Sequence, residues 1–216
     1  MYLDPLGDLA ETVRLAPATP AFEQAFSGFA RGAILRTKMG PCAIEDVLPG
    51  DEIETATGWA TLKWKGAMLI VPGAGQDMPL IRVGAESLGF TRPQIDVVLG
   101  PNARMLHRSP GIKRLTGQAA AFALARESCD GVSIVETRPV SPVQVFHLGF
   151  DQHEVLNVGG LEVESYHPGP EVFATMRGDL LDLFMSMFPH KSDVSDFGKL
   201  TLPRISLKDL DIFNAA

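Results

Sequence analysis

Between Ala33 and Ser165 the chain is cut into short runs rich in Val, Ile, Leu and Thr, each ended by Gly, Pro or Asp at intervals of about ten residues. Runs this short, bounded by residues that reverse the backbone, suit strands rather than helices, so this stretch is restricted to an all-β fold. The expected strands are Ile34 to Lys38, Cys42 to Asp46, Glu52 to Thr55, Trp59 to Lys65, Leu80 to Val83, Ile95 to Leu99, Arg104 to His107, Val132 to Glu136, Val143 to Phe150, His153 to Val158 and Leu161 to Glu164. Met39-Gly40-Pro41, Pro49-Gly50-Asp51, Thr57-Gly58 and Gly159-Gly160 supply the positive or fixed φ that tight reversals need. Gln118 to Ser128, QAAAFALARES, is rich in Ala and predicts one short helix laid over the sheet.

The flanks read differently. Asp4-Pro5 resembles an N-cap and first helical residue, and Leu6, Leu9, Ala10 and Val13 follow at helical spacing, which predicts a helix ending near Leu15. Pro17 and Pro20 break the chain, and Thr19-Pro20 starts a further helical turn with Phe22 and Phe26 on one face, suited to docking the arm. After Pro168-Gly169-Pro170, the segment Glu171 to Phe188 places Phe173, Met176, Leu180, Leu183, Phe184 and Met187 on one stripe and predicts an amphipathic helix stopped by Pro189. Such a stripe faces a core or, alternatively, a partner; Phe173, Met176, Leu183 and Met187 are the partner-binding candidates. The tail from His190 to Ala216 ends in LTLPRISLKDLDIF, which suits an extended segment lying on the body.

The length of 216 residues fits one core with terminal additions: an arm over 1–27, a β domain over 28–169, and a helix and tail over 170–216 packed on it. A composition of 45% hydrophobic and 21% charged residues is that of a chain that folds unaided. The net charge of -7 argues against a general affinity for nucleic acid or anionic membrane. Cys42 and Cys129 provide neither a disulfide framework nor a metal spacing, so no metal or cofactor is expected. With no secretion signal and no membrane span, the expected location is the cytoplasm, or outside the cell by a signal-independent route.

Three blocks carry a resemblance. The stretch GFARGAILRTKMGPCAIEDVLPGDEIETATG, Gly28 to Gly58, resembles the opening of Hint (hedgehog/intein) domains, above all a bacterial subgroup; Phe29, Gly32, Glu45, Asp46, Pro49, Gly50 and Asp51 match its pattern. LGPNARMLHRSP from Leu99 resembles the family's SPxHRVLV strand, and VFHLGFDQHEVLNVGGLEVESYHPG, 145–169, resembles its HLLFDxHEV ending. The resemblance implies a mainly β, Hint-type fold, to which the reading of the flanks adds a short N-terminal helical arm and a C-terminal amphipathic helix. It also implies autoprocessing, in which a Cys or Ser side chain attacks the preceding carbonyl and a His protonates the departing amine.

The matching positions here are the nucleophile's at Gly28, a Thr's at Ala33 and the acid's at Ala103, beside Asn102. None of these three has a side chain able to attack, donate or accept. Asp151 and His153 keep the third motif, whose His lies near the reaction centre in the family. Ser27 is a displaced-nucleophile candidate, although a one-residue slip turns its hydroxyl to the other side of an extended strand. Cys42 is a second, His107 stands too far along its strand to replace the acid, and His147 reads as a core residue. Alternation along LEVES places Glu162 and Glu164 together on a solvated face.

The resulting expectation is a Hint scaffold that binds a protein partner without processing itself, Gly28, Ala103 and His153 meeting in one cleft. The alternatives are autoprocessing by an N-to-O or N-to-S acyl shift and a structural role in a secreted or particle-like assembly. The sequence leaves the partner's identity and the oligomeric state open.

Overall fold

The computed structural model describes residues 1–73 and 78–214, with side chains through residue 210. The arm contributes β1 (Tyr2–Leu3), β2 (Leu9–Ala10) and α1 (Pro20–Gln24). The body opens with β3 (Phe29–Ala30), β4 (Ile34–Thr37), β5 (Gly40–Ala43), β6 (Glu52–Thr55), β7 (Gly58–Thr61) and β8 (Trp64–Ile70). It continues through β9 (Leu80–Val83), β10 (Val97–Leu99), β11 (Arg104–His107), α2 (Pro110–Thr116), β12 (Ala121–Leu124), β13 (Ile134–Thr137), β14 (Val143–Gly149), β15 (Val155–Val158) and β16 (Leu161–Glu164). Three helices follow: α3 (Pro170–Thr175), α4 (Asp179–Met185) and α5 (Leu207–Asn214).

Among the described residues the strands form two antiparallel sheets. One has the order β13-β9-β10-β3-β14-β8-β1-β2 and the other β12-β11-β16-β15-β4-β6-β7, with β5 on β4. The longest pairing runs from Val143 opposite Ile70 to Gly149 opposite Trp64. Leu35, Ile53, Leu99, Met105, Phe146 and Leu156 belong to the main core, buried as the alternation of each strand dictates. The fold is thus mainly β, and the helices are minor additions. No described helix is long and apolar enough to cross a membrane.

A second core gathers the flanks. Phe22 of α1 meets Phe184 of α4 edge-on at 5.7 Å, and Phe188 lies 4.8 Å from Trp64 of β8 and stacks on Tyr166 at 5.1 Å. The Trp64 indole donates to the Met187 carbonyl at 2.8 Å, tying this cap to the sheet. The arm docks through its phenylalanines as expected: Phe22 is buried and Phe26 rests on Trp64 at 5.7 Å.

Three helical expectations are corrected. Asp4 does not start a helix: its Oδ1 accepts from Leu6 N and Asp8 N, closing a turn between β1 and β2, so its capping chemistry serves a reversal. Within Gln118 to Ser128, Ala121–Leu124 is β12, paired with all of β11, and Ala125–Ser128 is a 3₁₀ turn. The small side chains suit close sheet packing, and pairing overrides helix propensity. The helix stands earlier, at α2, capped by Ser109 and ended by Gly117 in the left-handed region. The single helix over 171–188 is two, because the backbone turns extended at Met176, which ends α3, and Gly178 at φ 54 stands at the N-cap of α4. Leu180 is therefore turned out, 43% exposed, while Phe184 is fully buried.

Candidate functional site

The first two motifs meet through the backbone. Gly28, just before β3, donates its N–H to Phe146 O at 2.9 Å and accepts from Gly100 N at 2.9 Å; Gly100 O in turn accepts from Ala103 N at 3.2 Å. Two hydrogen bonds thus link Gly28 to Ala103, a span of roughly 12 Å at most between Cα atoms. The second glycine permits this approach, since a Cβ on Gly100 would sit 2.1 Å from the Ser27 carbonyl oxygen. Ala33 and Ala103 are buried and pack in the main core.

Gly28 is crowded by His147. A Cβ at Gly28 would fall 2.9 Å from both Cγ and Nδ1 of His147, closer than real side chains approach. The imidazole packs edge-on against Phe29 at 5.7 Å and Tyr166 at 5.3 Å, and its Nδ1 accepts from Leu148 N at 3.2 Å. Burial pushes its pKa down to about 3, so the ring is neutral at physiological pH. The Tyr166 hydroxyl is buried with no hydrogen-bond partner among the described residues, and burial raises its pKa well above the ordinary value. Gly28→Ala should therefore cost about 1 to 3 kcal/mol by overpacking, and His147→Ala in the same chain should recover most of that loss. Chemical denaturation of the four-member set measures it; additive losses would show that Gly28 does not feel the imidazole.

Ser27 is buried, and its hydroxyl oxygen accepts from Asn102 Nδ2 at 2.9 Å. It faces the second-motif loop while the Cβ direction of Gly28 faces His147, as alternation along an extended strand requires. Cys42 stands on β5 against the main core, and burial followed by the charge of Asp46 raises its thiol pKa. His107 is half-buried, with Nε2 3.4 Å from Ser128 Oγ.

His153 is buried where β16 meets the returning tail. Its Nδ1 accepts from Thr201 N at 3.0 Å, which leaves Nε2 to carry the proton, 3.1 Å from Glu164 Oε1. Glu164 also accepts from Arg204 Nε at 2.8 Å and lies 3.6 Å from Arg104 Nη1. Burial alone would raise its pKa, but the His153 contact and the two guanidinium groups hold it at about 2. Arg204 Nη2 donates to His167 O at 2.6 Å. His153 therefore holds Glu164 and the returning tail. Asp151 stands exposed at the surface, 3.4 Å from Lys63.

The solvated face expected for LEVES is also corrected. Glu162 is half-buried beneath Arg108, whose Nη2 donates to Oε1 at 2.7 Å, and Glu164 is buried because the tail covers that face. At the motifs, Ser27, Gly28, Ala103, His147 and His153 are all buried. Of the four partner-binding candidates, Met176 and Met187 are buried and Phe173 and Leu183 half-buried, all within the second core. Sequence reasoning missed Arg204, Arg104 and Thr201, which have no local signal for their distant partners. It also missed a cavity of about 510 Å³ beneath the arm, lined in part by Phe22, Phe26, Trp64, Lys65 and Phe146.

Among solved structures, a bacterial intein-like domain from Clostridium thermocellum matches at 12% identity and a TM-score of 0.46, covering 65% of this chain and 99% of that one. A splice-inactive variant of the AceL NrdHF class 3 split intein is 14% identical, at a TM-score of 0.45 over 65% and 99% of the two chains. The MchDnaB-1 intein is 17% identical, at 0.41 over 64% and 99%. No curated protein matches the chain. The profile of one protein family, described as the Hint domain, matches residues 27–170. That span takes in all three motifs and most of both sheets, and the chain belongs to the Hint-domain family.

Proposed function

We propose that this Hint domain does not process itself and serves as a protein-binding or assembly module. The observation that carries this reading is the packing at Gly28: the position matching the family's nucleophile has no side chain, and the His147 ring fills the space one would need. Ala103, matching the acid, is buried among apolar residues and leaves a departing amine without a proton donor. Restoring a cysteine at position 28 therefore also requires His147 to move.

The test is the intact mass of the purified chain after exposure to excess thiol or hydroxylamine. Both reagents cleave an ester or thioester, and one must form first. The expected result is an unchanged mass. Cleavage after Ser27 would remove roughly 3 kDa, from 23.3 kDa spread over 216 residues and 27 residues lost.

A second reading has one observation in its favour, the buried Ser27 held by Asn102 of the second motif. In it, Ser27 Oγ attacks the Phe26 carbonyl, the Phe26–Ser27 C–N bond breaks as the ester forms, and the hydroxyl proton passes to the freed amine. Cleavage by hydroxylamine between Phe26 and Ser27, abolished by Ser27→Ala, would establish this reading and overturn the first.

A further inference from the structure

The segment that follows Gly198 behaves as a ligand of its own fold. After bends at Thr201 and Leu202, Pro203 to Ile205 lies along the outer edge of β12, with Phe122 N donating to Pro203 O at 2.8 Å and Ile205 N to Phe122 O at 2.9 Å. Each side chain in the middle of the segment has a defined seat. Thr201 is held at His153, Leu202 packs on the cluster of Leu106, Phe122 and Val155, and Arg204 enters a buried site formed by Glu164 and His167 O. Beyond it, Glu127 accepts from Ser206 Oγ at 3.0 Å and from Leu207 N. An extended chain adding itself to a sheet edge, with one charged residue read in a pocket, is how peptide-recognition domains bind their partners.

We propose that the β12 edge and the Glu164 pocket form a docking groove for an extended protein segment carrying an apolar residue, a proline and an arginine in that order, and that residues 200–206 occupy it as an internal ligand. The opposite charges favour the fit: Glu164 is a buried carboxylate, which Arg104 and His153 approach at 3.6 and 3.1 Å and Arg204 at 2.8 Å. The short exposed stretch Gly198-Lys199, with Gly198 at φ 71, separates this strap from Phe197, which stays buried in the second core. Release of the strap therefore need not disturb the cap. A tethered ligand is present at an effective concentration in the millimolar range, so the groove is masked until the strap is displaced.

The inference builds on the binding reading above. Its test is separable from that one, because processing is read by mass and groove occupancy by anisotropy. The probe is a fluorescein-labelled peptide of residues 198–210, titrated into the full chain and into its Arg204→Ala variant. The variant should bind it at least about tenfold more tightly than the unmodified chain, and amide exchange at Thr201 and Ile205 should be faster in the variant. A peptide carrying Arg204→Ala should bind more weakly than the original. Should Arg204→Ala fail to fold, Thr201→Pro carries the test, since it removes one N–H donated to His153 and keeps every charge. Equal binding to the variant and the unmodified chain, no binding to a variant whose strap exchanges freely, or equal affinity for the two peptides would each overturn the proposal.

Discussion

Phe184→Ala is expected to lower stability by about 3 to 5 kcal/mol. The side chain is fully buried, and its ring meets Phe22 of the arm at 5.7 Å, Phe173 of α3 at 6.2 Å and Phe188 at 5.1 Å. It thus joins three chain segments that touch the sheet chiefly through Trp64 and Tyr166, and little around it can collapse into the space left behind. Guanidinium denaturation followed by circular dichroism measures the loss, with Leu180→Ala as the exposed comparison, expected to cost well under about 1 kcal/mol. A loss below about 1 kcal/mol at Phe184, or a separate early transition, would show that the cap folds independently of the sheets.

Acid should begin to destabilise the protein near neutral pH, before the carboxylates titrate. His147 is held at about 3, and His167 and His190 at about 4, in each case first by burial. The ordinary value of 6.5 applies in the unfolded chain. Below that pH the unfolded chain takes up protons that the fold refuses, so stability present above pH 6.5 is lost as the pH falls. For His147 the gap from 6.5 to about 3, at about 1.36 kcal/mol per pKa unit, amounts to roughly 4 to 5 kcal/mol when complete. Glu164 acts in a lower window, losing its contribution as the pH falls from 4.5 towards about 2. Denaturation midpoints at pH 7.5, 6.5, 5.5 and 4.5 should fall steadily, and His147→Asn should flatten the upper part of the curve. A midpoint constant from pH 7.5 to 5 would contradict the burial of neutral imidazoles.

The strands were legible because each carries its own evidence. Glu52–Thr55, Leu80–Val83, Arg104–His107 and Leu161–Glu164 have the ends that their alternation and flanking turn residues predict. The errors arose where local preference and distant pairing disagree. Ala121–Leu124 has the composition of a helix, yet backbone pairing with β11 holds it as a strand and its other edge receives the strap. Alternation correctly grouped Glu162 with Glu164, but burial of that face depends on Arg204, forty residues later. Backbone hydrogen bonds through Gly100 join Gly28 to Ala103, from two motifs far apart in sequence. The crowding of Gly28 by His147 was not readable, because it depends on β3 lying beside β14.

The strap also sets an order of events during synthesis. Glu164 is laid down forty residues before Arg204, and translation proceeds at roughly 5 to 20 residues per second. For several seconds the nascent sandwich holds that carboxylate with only Arg104 and His153 beside it, and the edge of β12 is open at the Phe122 N–H and C=O groups. An open edge of this kind is a template for another strand. The emerging chain is thus most exposed to mispairing after β16 is made and before Ile205 has left the ribosome to cover that edge.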